Sequence, residues 1–399
     1  MMNTGPKMNH YRKVIFLWIV MVVGVAGAAS AKAPEVEWTR VIGGKAGEVG
    51  NCIQSTYDGG YIIAATKDGR IWTGRKYLKG TGCLIYLIKL DNDGNVKWEN
   101  TYGDTNSFYS GNFVEQTSDS GFIIAGSLSL DRGIILLKTD KYGKTEWLRI
   151  YHNRGSGEEV YQTADCGYII IGASGPSYPY PDIYILKVNA IGDSLWAKRY
   201  GYEREDGAAS GQLTDDGGCV ITGATTSFGS KTPYLFCRLL LMRIDSKGDT
   251  VWVKTFGSNW GEVGYCIRKT SDKNYIITGE YRGVREKNSD VYLLKVDSLG
   301  NKIWEKAFGG AYYDEGHCVR QTSDGGYIVA GCTQRTTGRD STWIYIVRTD
   351  ENGVLLWTKT DKNPHKSKAN SVIQTEDGGF LIAGEMGDDV YLIKLKPEE

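Results

Sequence analysis

The chain has 399 residues, with 47 Lys and Arg against 47 Asp and Glu, 41% hydrophobic residues and 52 glycines. A net charge of zero offers no electrostatic case for nucleic acid or an anionic membrane as partner, and the apolar content is ample for a packed core. The four His (His10, His152, His317 and His365) show no metal-ligand spacing, and no nucleophile elbow or phosphate-binding glycine loop occurs, so zinc, serine-hydrolase and phosphoryl-transfer chemistry are not expected.

At the N-terminus, Lys7, Arg12 and Lys13 precede an apolar stretch from Val14 to Ala29 that ends in Ala29-Ser30-Ala31. A basic start, a short apolar run and a small-x-small site make a secretory signal peptide. Residues 1–31 are therefore expected to be removed, and residues 32–399 to be secreted, extracellular or periplasmic. The apolar run is shorter than the about 20 residues of a membrane span. No Cys follows it, so neither lipidation nor membrane attachment is expected after cleavage.

From here to the end, one unit recurs at a period of roughly 50 residues. Its tryptophans are Trp38, Trp98, Trp147, Trp196, Trp252, Trp304 and Trp357, and its hairpins carry Thr-x-Asp at Asp58, Asp119, Asp165, Asp216, Asp272, Asp324 and Asp377. In the first unit the apolar pattern predicts four strands: Asn51 to Thr56, Gly60 to Ala65, Leu84 to Leu90 and Val96 to Tyr102. The second and third are nearly continuous apolar runs, as for strands covered on both faces. Lys97-Trp98-Glu99 alternates, as for an edge strand with one wet face. Asp-Gly-Gly supplies the positive backbone dihedrals of a tight turn.

Four-stranded meanders of this length are propeller blades. The reading is all-β: one domain over 32–399, a seven-bladed β-propeller of four-stranded antiparallel blades. Glu37-Trp38-Thr39 is an outer strand with no blade before it, and Tyr391-Leu392-Ile393-Lys394 is a third strand with no fourth. Residues 36–42 are thus expected to pair with 390–395 and close the ring. Of the eight Cys, Cys52, Cys266 and Cys318 share one strand position and read as small buried hydrophobes. Cys318 and Cys332 are the candidate disulfide, across the Asp324 hairpin, if its loop has three residues.

These motifs resemble the secreted tryptophan-and-DGGY repeat propellers of bacteria and archaea, some of them labelled bulb-type lectin-like or endoglucanase-like, over residues 36–396. The resemblance implies a propeller and no defined activity. Many of that family carry a C-terminal sorting module, which is not expected here. Tyr86-Leu87-Ile88-Lys89-Leu90-Asp91 through Trp98 also resembles quinoprotein-type, WD-like repeats. Quinone-dependent dehydrogenases of that type usually have eight blades and a vicinal Cys pair, so no quinone cofactor is expected.

Loops between second and third strands and loops between blades share one face around the channel mouth, the usual ligand face. The ligand candidates there are Trp72, Arg75, Tyr77, Tyr178, Tyr180, Tyr234, Trp260, Tyr281 and Arg282. Aromatic faces beside cationic donors suit sugar rings, suit a protein partner equally, and also suit simple pinning of long loops. Glu48, Glu158, Asp206, Glu262 and Asp314-Glu315 recur just after the Trp strand and could hold calcium or cleave a glycoside. A carboxylate repeated in most blades fits a structural role better, because catalysis needs one pair in one place. The expectation is a monomeric binding module for carbohydrate or cell-envelope material, with no catalytic residue assigned and no cofactor beyond possible calcium. A polysaccharide-cleaving enzyme and a protein-interaction scaffold are the alternatives.

Overall fold

A computed structural model describes residues 31–44, 47–68, 82–128, 133–152, 155–174, 182–201, 206–228, 237–257, 261–282, 288–334 and 342–399. Among these residues the chain forms seven four-stranded antiparallel sheets and no helix. Six blades are contiguous in sequence. Blade 1 runs through its inner strand Glu48–Ser55, second strand Tyr61–Asp68, third strand Cys83–Leu90 and outer strand Val96–Tyr102. The seventh is composite: Val36–Ile42 lies beside Asp389–Leu395, with Trp38 opposite Lys394 and Ile42 opposite Val390. The expected closure is therefore present in the expected register.

Each sheet is built as its pattern dictates. Second and third strands such as Phe122–Leu128 and Gly133–Thr139 are buried almost throughout, whereas the outer strand Val96–Tyr102 alternates exposed and half-buried positions. The Trp of an outer strand docks on the next blade. Trp98 meets Phe122 edge-on at 6.0 Å, Trp147 meets Tyr168 at 6.0 Å, and Trp304 meets Tyr327 at 5.8 Å. Above Trp98 sits Gly143, at φ 78°, where any Cβ would strike the indole at 2.8 Å. The turn glycine is thus required twice, for its dihedral and for the ring beneath it.

The Thr-x-Asp hairpins are one repeated device. In all seven the Thr hydroxyl donates to the Asp carboxylate. In all seven a cation from the third strand pairs with that carboxylate: Lys89, Lys138, Lys187, Arg243, Lys295, Arg348 and Lys394. Lys89 and Lys138 are themselves buried, and such cations are retained only when paired.

The candidate disulfide is corrected. Cys318 and Cys332 are both free thiols; Cys318 lies opposite Ala330, and Cys332 lies opposite Glu315. The hairpin loop is longer than three residues, with Gln321 opposite Tyr327, and this offset separates the two sulfurs.

Candidate functional site

The inner strands surround a central channel holding a cavity of ≈ 400 Å³. Every inner strand carries a bulge at the same place: between Gly50 and Cys52, Gly111 and Phe113, Gly157 and Glu159, Ala208 and Ser210, Gly264 and Cys266, Gly316 and Cys318, and Ala369 and Ser371. A bulge sets two residues against one and re-aims a side chain. Hence pairs of consecutive residues, such as Asn51-Cys52, Glu158-Glu159 and His317-Cys318, all line the channel.

Most of these residues stitch neighbouring blades. An inner strand is a sheet edge, and its unpaired backbone groups need partners. Asn51 Nδ2 donates to the Gly111 carbonyl at 2.8 Å, Asn112 to Gly157 at 2.9 Å, and Asn370 to Gly50 at 2.9 Å. His317 Nδ1 makes the same bond to Ala369 O at 2.8 Å. One residue further on, Ser371 Oγ accepts from Ile53 N, and Ser210 Oγ accepts from Ile267 N. Glu158, Ala209 and Tyr265 occupy the bulge position in blades 3, 4 and 5, and none of them is an amide that could donate this bond.

Those three blades are joined by charge. Arg268 Nη2 reaches Glu159 Oε1 at 2.9 Å, and the carboxylate also accepts from Ser210 Oγ at 3.0 Å and Gly211 N at 2.8 Å, with Tyr161 Oη 2.9 Å away. Nearby, burial pushes the Glu115 carboxyl up to about 7, with the Glu159 charge adding to the rise and the Gln162 amide opposing it.

At the mouth a second polar chain runs outward. Glu315 Oε2 lies 3.1 Å from His317 Nε2, the His317 ring lies 5.9 Å from Tyr265, Tyr265 Oη contacts Glu280 Oε2 at 3.3 Å, and Glu280 Oε1 accepts from Arg282 Nε at 2.9 Å. The contact with His317 holds the Glu315 carboxyl below its ordinary range against the effect of burial. Burial, with the Glu280 and Glu315 charges, holds the Tyr265 phenol well above its own.

Of the ligand candidates, Arg282 therefore stands at the outer end of this chain. The Tyr281 ring stacks on Tyr292 of the third strand at 5.5 Å. Trp72, Arg75, Tyr77, Tyr178, Tyr180, Tyr234 and Trp260 lie outside the described residues. The recurring carboxylates divide. Glu48, Asp206 and Asp314 are buried and engaged by Lys67, Thr225 and the Gly310 amide respectively, and Glu262 is buried at the corresponding position of blade 5, beside Gly257. Glu158 is not one of their series, because its register matches Asn51 and Asn112, and it faces the channel with Ser156 donating to it at 2.5 Å.

Chain-wise spacing missed His317, Tyr265 and Cys332. Cys332 sits on the strand beside Glu315-x-His317, so no linear spacing links them, although the recurring Gly-x-Cys of Gly50-Asn51-Cys52, Gly264-Tyr265-Cys266 and Gly316-His317-Cys318 marks the bulge.

No protein-family model matches this chain, and no curated protein matches it in sequence. Solved structures do match in shape. The chain is similar to YCF48 bound to D1 peptide, at 11% identity and a TM-score of 0.52 over 92% of this chain and 98% of that one. It is similar to a protein of unknown function from Dyadobacter fermentans, at 8% identity and a TM-score of 0.53 over 92% and 99% of the two chains. It is also similar to Drosophila Plexin A in complex with Semaphorin 1b, at 7% identity and a TM-score of 0.51 over 92% and 88%. At such identities the likeness concerns architecture alone, and the architecture of this chain is a seven-bladed β-propeller, a fold suited to binding and interaction.

Proposed function

We propose that the protein is an exported binding module that seats its ligand over the channel mouth, on the face of the long loops, and that the ligand is carbohydrate or cell-envelope material. The observation that carries a binding role is the fate of the carboxylates. Glu48, Asp206, Glu262 and Asp314 are each buried in a different blade, and Lys67, Thr225 and the Gly310 amide engage three of them, which suits a repeated structural carboxylate better than an acid and base pair. The mouth instead offers Arg282, Tyr265 and Glu315, a cationic donor, an aromatic ring and an acceptor, with buried Glu280 holding the first two in place. Sugar hydroxyls and C–H faces use such groups together, and the aromatic and cationic composition of the long loops supports the same class.

A polypeptide ligand is the second reading. It is favoured by two similar propellers having been solved with a peptide or protein partner, YCF48 with D1 peptide and Plexin A with Semaphorin 1b.

Intrinsic tryptophan fluorescence, titrated with a panel of polysaccharides and assayed in parallel for released reducing ends, tests the proposal. Saturable binding without cleavage, lost in Trp72→Ala, Tyr77→Ala or Arg282→Ala at unchanged melting temperature, is the expected result. Cleavage that survives in Glu262→Gln but fails in Glu158→Gln would replace the binding module by an enzyme. Silence across the panel would move the ligand class to polypeptide.

A further inference from the structure

We propose that Glu315, His317 and Cys332 form a transition-metal site, best suited to zinc, in the wall of the channel. The site shares Glu315 with the channel mouth described above, but it is read and tested in the free protein, through metal and not through a saccharide. The three donor atoms all lie within 4.8 Å of one another. Topology brings them together: Glu315 and Cys332 are direct cross-strand partners, and the bulge between Gly316 and Cys318 turns His317 into the channel beside Glu315. Glu315 and His317 line the cavity, while buried Cys332 closes the site from the blade side.

The tautomer of His317 makes the case specific. A backbone carbonyl only accepts, so the Nδ1 atom 2.8 Å from Ala369 O must carry a proton. That leaves Nε2 to face the Glu315 carboxylate at 3.1 Å. With Nδ1 committed as a donor, Nε2 and the Glu315 oxygen present two ligand atoms side by side that one metal ion can bridge. Fixing an imidazole by donating its far N–H to a carbonyl is also the arrangement that orients metal-ligating His residues.

The geometry fits a small tetrahedral ion. With metal–N and metal–O distances near 2.0 Å and metal–S near 2.3 Å, the edges of a zinc tetrahedron are about 3.3 to 3.6 Å. The N-to-O edge is already close to this, and a separation at the 4.8 Å limit would shorten by about 1.2 Å. One imidazole, one thiolate and one carboxylate select zinc, cobalt or a similar borderline ion, whereas calcium needs six to eight oxygens. Three protein ligands leave a fourth position open toward the channel, beside Tyr265. Burial pushes the Cys332 thiol up to about 12, so coordination must expel its proton, as it does at zinc thiolates generally. Binding then releases the Cys332 proton.

The decisive variant is His317→Asn. Asn already fills this bulge position in blades 1, 2 and 7 and makes the same blade-to-blade bond, so the substitution keeps the stitch and deletes the metal ligand. Zinc calorimetry, with cobalt absorption as a second readout, is run on the purified full chain, on His317→Asn and on Cys332→Ser. One equivalent bound by the parent chain, a thiolate-to-cobalt charge-transfer band, and affinity at least about 10-fold weaker in both variants are expected. No stoichiometric binding by the parent, or binding of equal strength in His317→Asn, would overturn the site and leave the other thiols as the zinc scavengers.

Discussion

Arg268 of blade 5 passes over blade 4 to hold Glu159 of blade 3, with Nη2 2.9 Å from Oε1, and both side chains are largely buried. Ser210 of the intervening blade bonds both partners, at 3.1 Å to Arg268 Nη1 and 3.0 Å to Glu159. The pair thus bridges the arc where the bulge residues are Glu158, Ala209 and Tyr265 and the Asn stitch is missing. Removing one partner strands the other charge in the channel wall. Arg268→Ala should cost about 3 kcal/mol in chemical denaturation. Replacing both, as Glu159→Gln with Arg268→Met, should cost less than Arg268→Ala alone, because no unpaired charge remains.

Ring closure rests on a strand remote in sequence from everything it touches. Val36–Ile42 completes blade 7, Lys396 N donates to Glu35 O at 3.0 Å, and Lys359 Nζ reaches Pro34 O at 2.8 Å. At the same seam Trp357 Nε1 donates to Glu398 at 2.6 Å, so the C-terminal segment sits where a blade turn covers the other tryptophans. Deleting residues 33–43 would expose the edge of Asp389–Leu395, an unprotected template for pairing. The truncated protein should melt at least about 10 °C lower and aggregate in size-exclusion runs. A truncation that melts like the parent and stays monodisperse would show that the closing strand is dispensable.

How much of this was legible can be argued residue by residue. Trp98 and Asp119 recur in every unit, and recurrence exposed both the blade and the closure, because a strand lacking its partner at each end has one solution. Arg268–Glu159 and Glu315–His317–Cys332 could not be read in that way. They depend on which side of a strand a bulge turns a residue, and a bulge adds one residue without any composition of its own. The eight Cys misled for the same reason: counting back from the Asp324 hairpin sets Cys318 opposite Cys332 only if the loop has three residues. The acidic series was half right. Glu48, Asp206, Glu262 and Asp314 hold one buried position, whereas Glu158 lies three places further along its own strand, where Gly155 holds that position.

The seven hairpin carboxylates make the fold acid-sensitive. Hydrogen bonds from Thr163 and Lys187 hold Asp165 at about 2, and at Asp58 and Asp272 similar bonds outweigh burial and push the carboxyl lower still. A folded-state value below the unfolded value near 3.9 contributes stability that is complete above that pH and vanishes as pH falls through the folded value. In Asp165→Asn, the deficit against the parent should be present at pH 6 and gone near pH 2. It should not exceed about 1 kcal/mol, because this carboxylate is more than half exposed and water screens it. Urea melts of the two proteins at both pH values check this, and a deficit that persists unchanged at pH 2 would remove the charge pair from the account.

Three of the same hairpins carry strain that the other four avoid. The residue after the Asp has positive φ throughout: Gly59, Gly217, Gly325 and Gly378 fill it in four blades, but Ser120, Cys166 and Lys273 sit there at 68°, 61° and 62°. A side chain in the left-handed region costs about 1–2 kcal/mol, part of which glycine returns through its freer unfolded chain. Ser120→Gly, Cys166→Gly and Lys273→Gly should therefore each stabilise by about 0.5–1 kcal/mol. The sites lie in separate blades with no shared partner, so the triple variant should gain nearly the sum of the single effects. Thermal melts of the singles and the triple decide it. A gain at Cys166, where the side chain is exposed, with none at Ser120 or Lys273 would locate the benefit in removing a thiol and not in relieving the backbone.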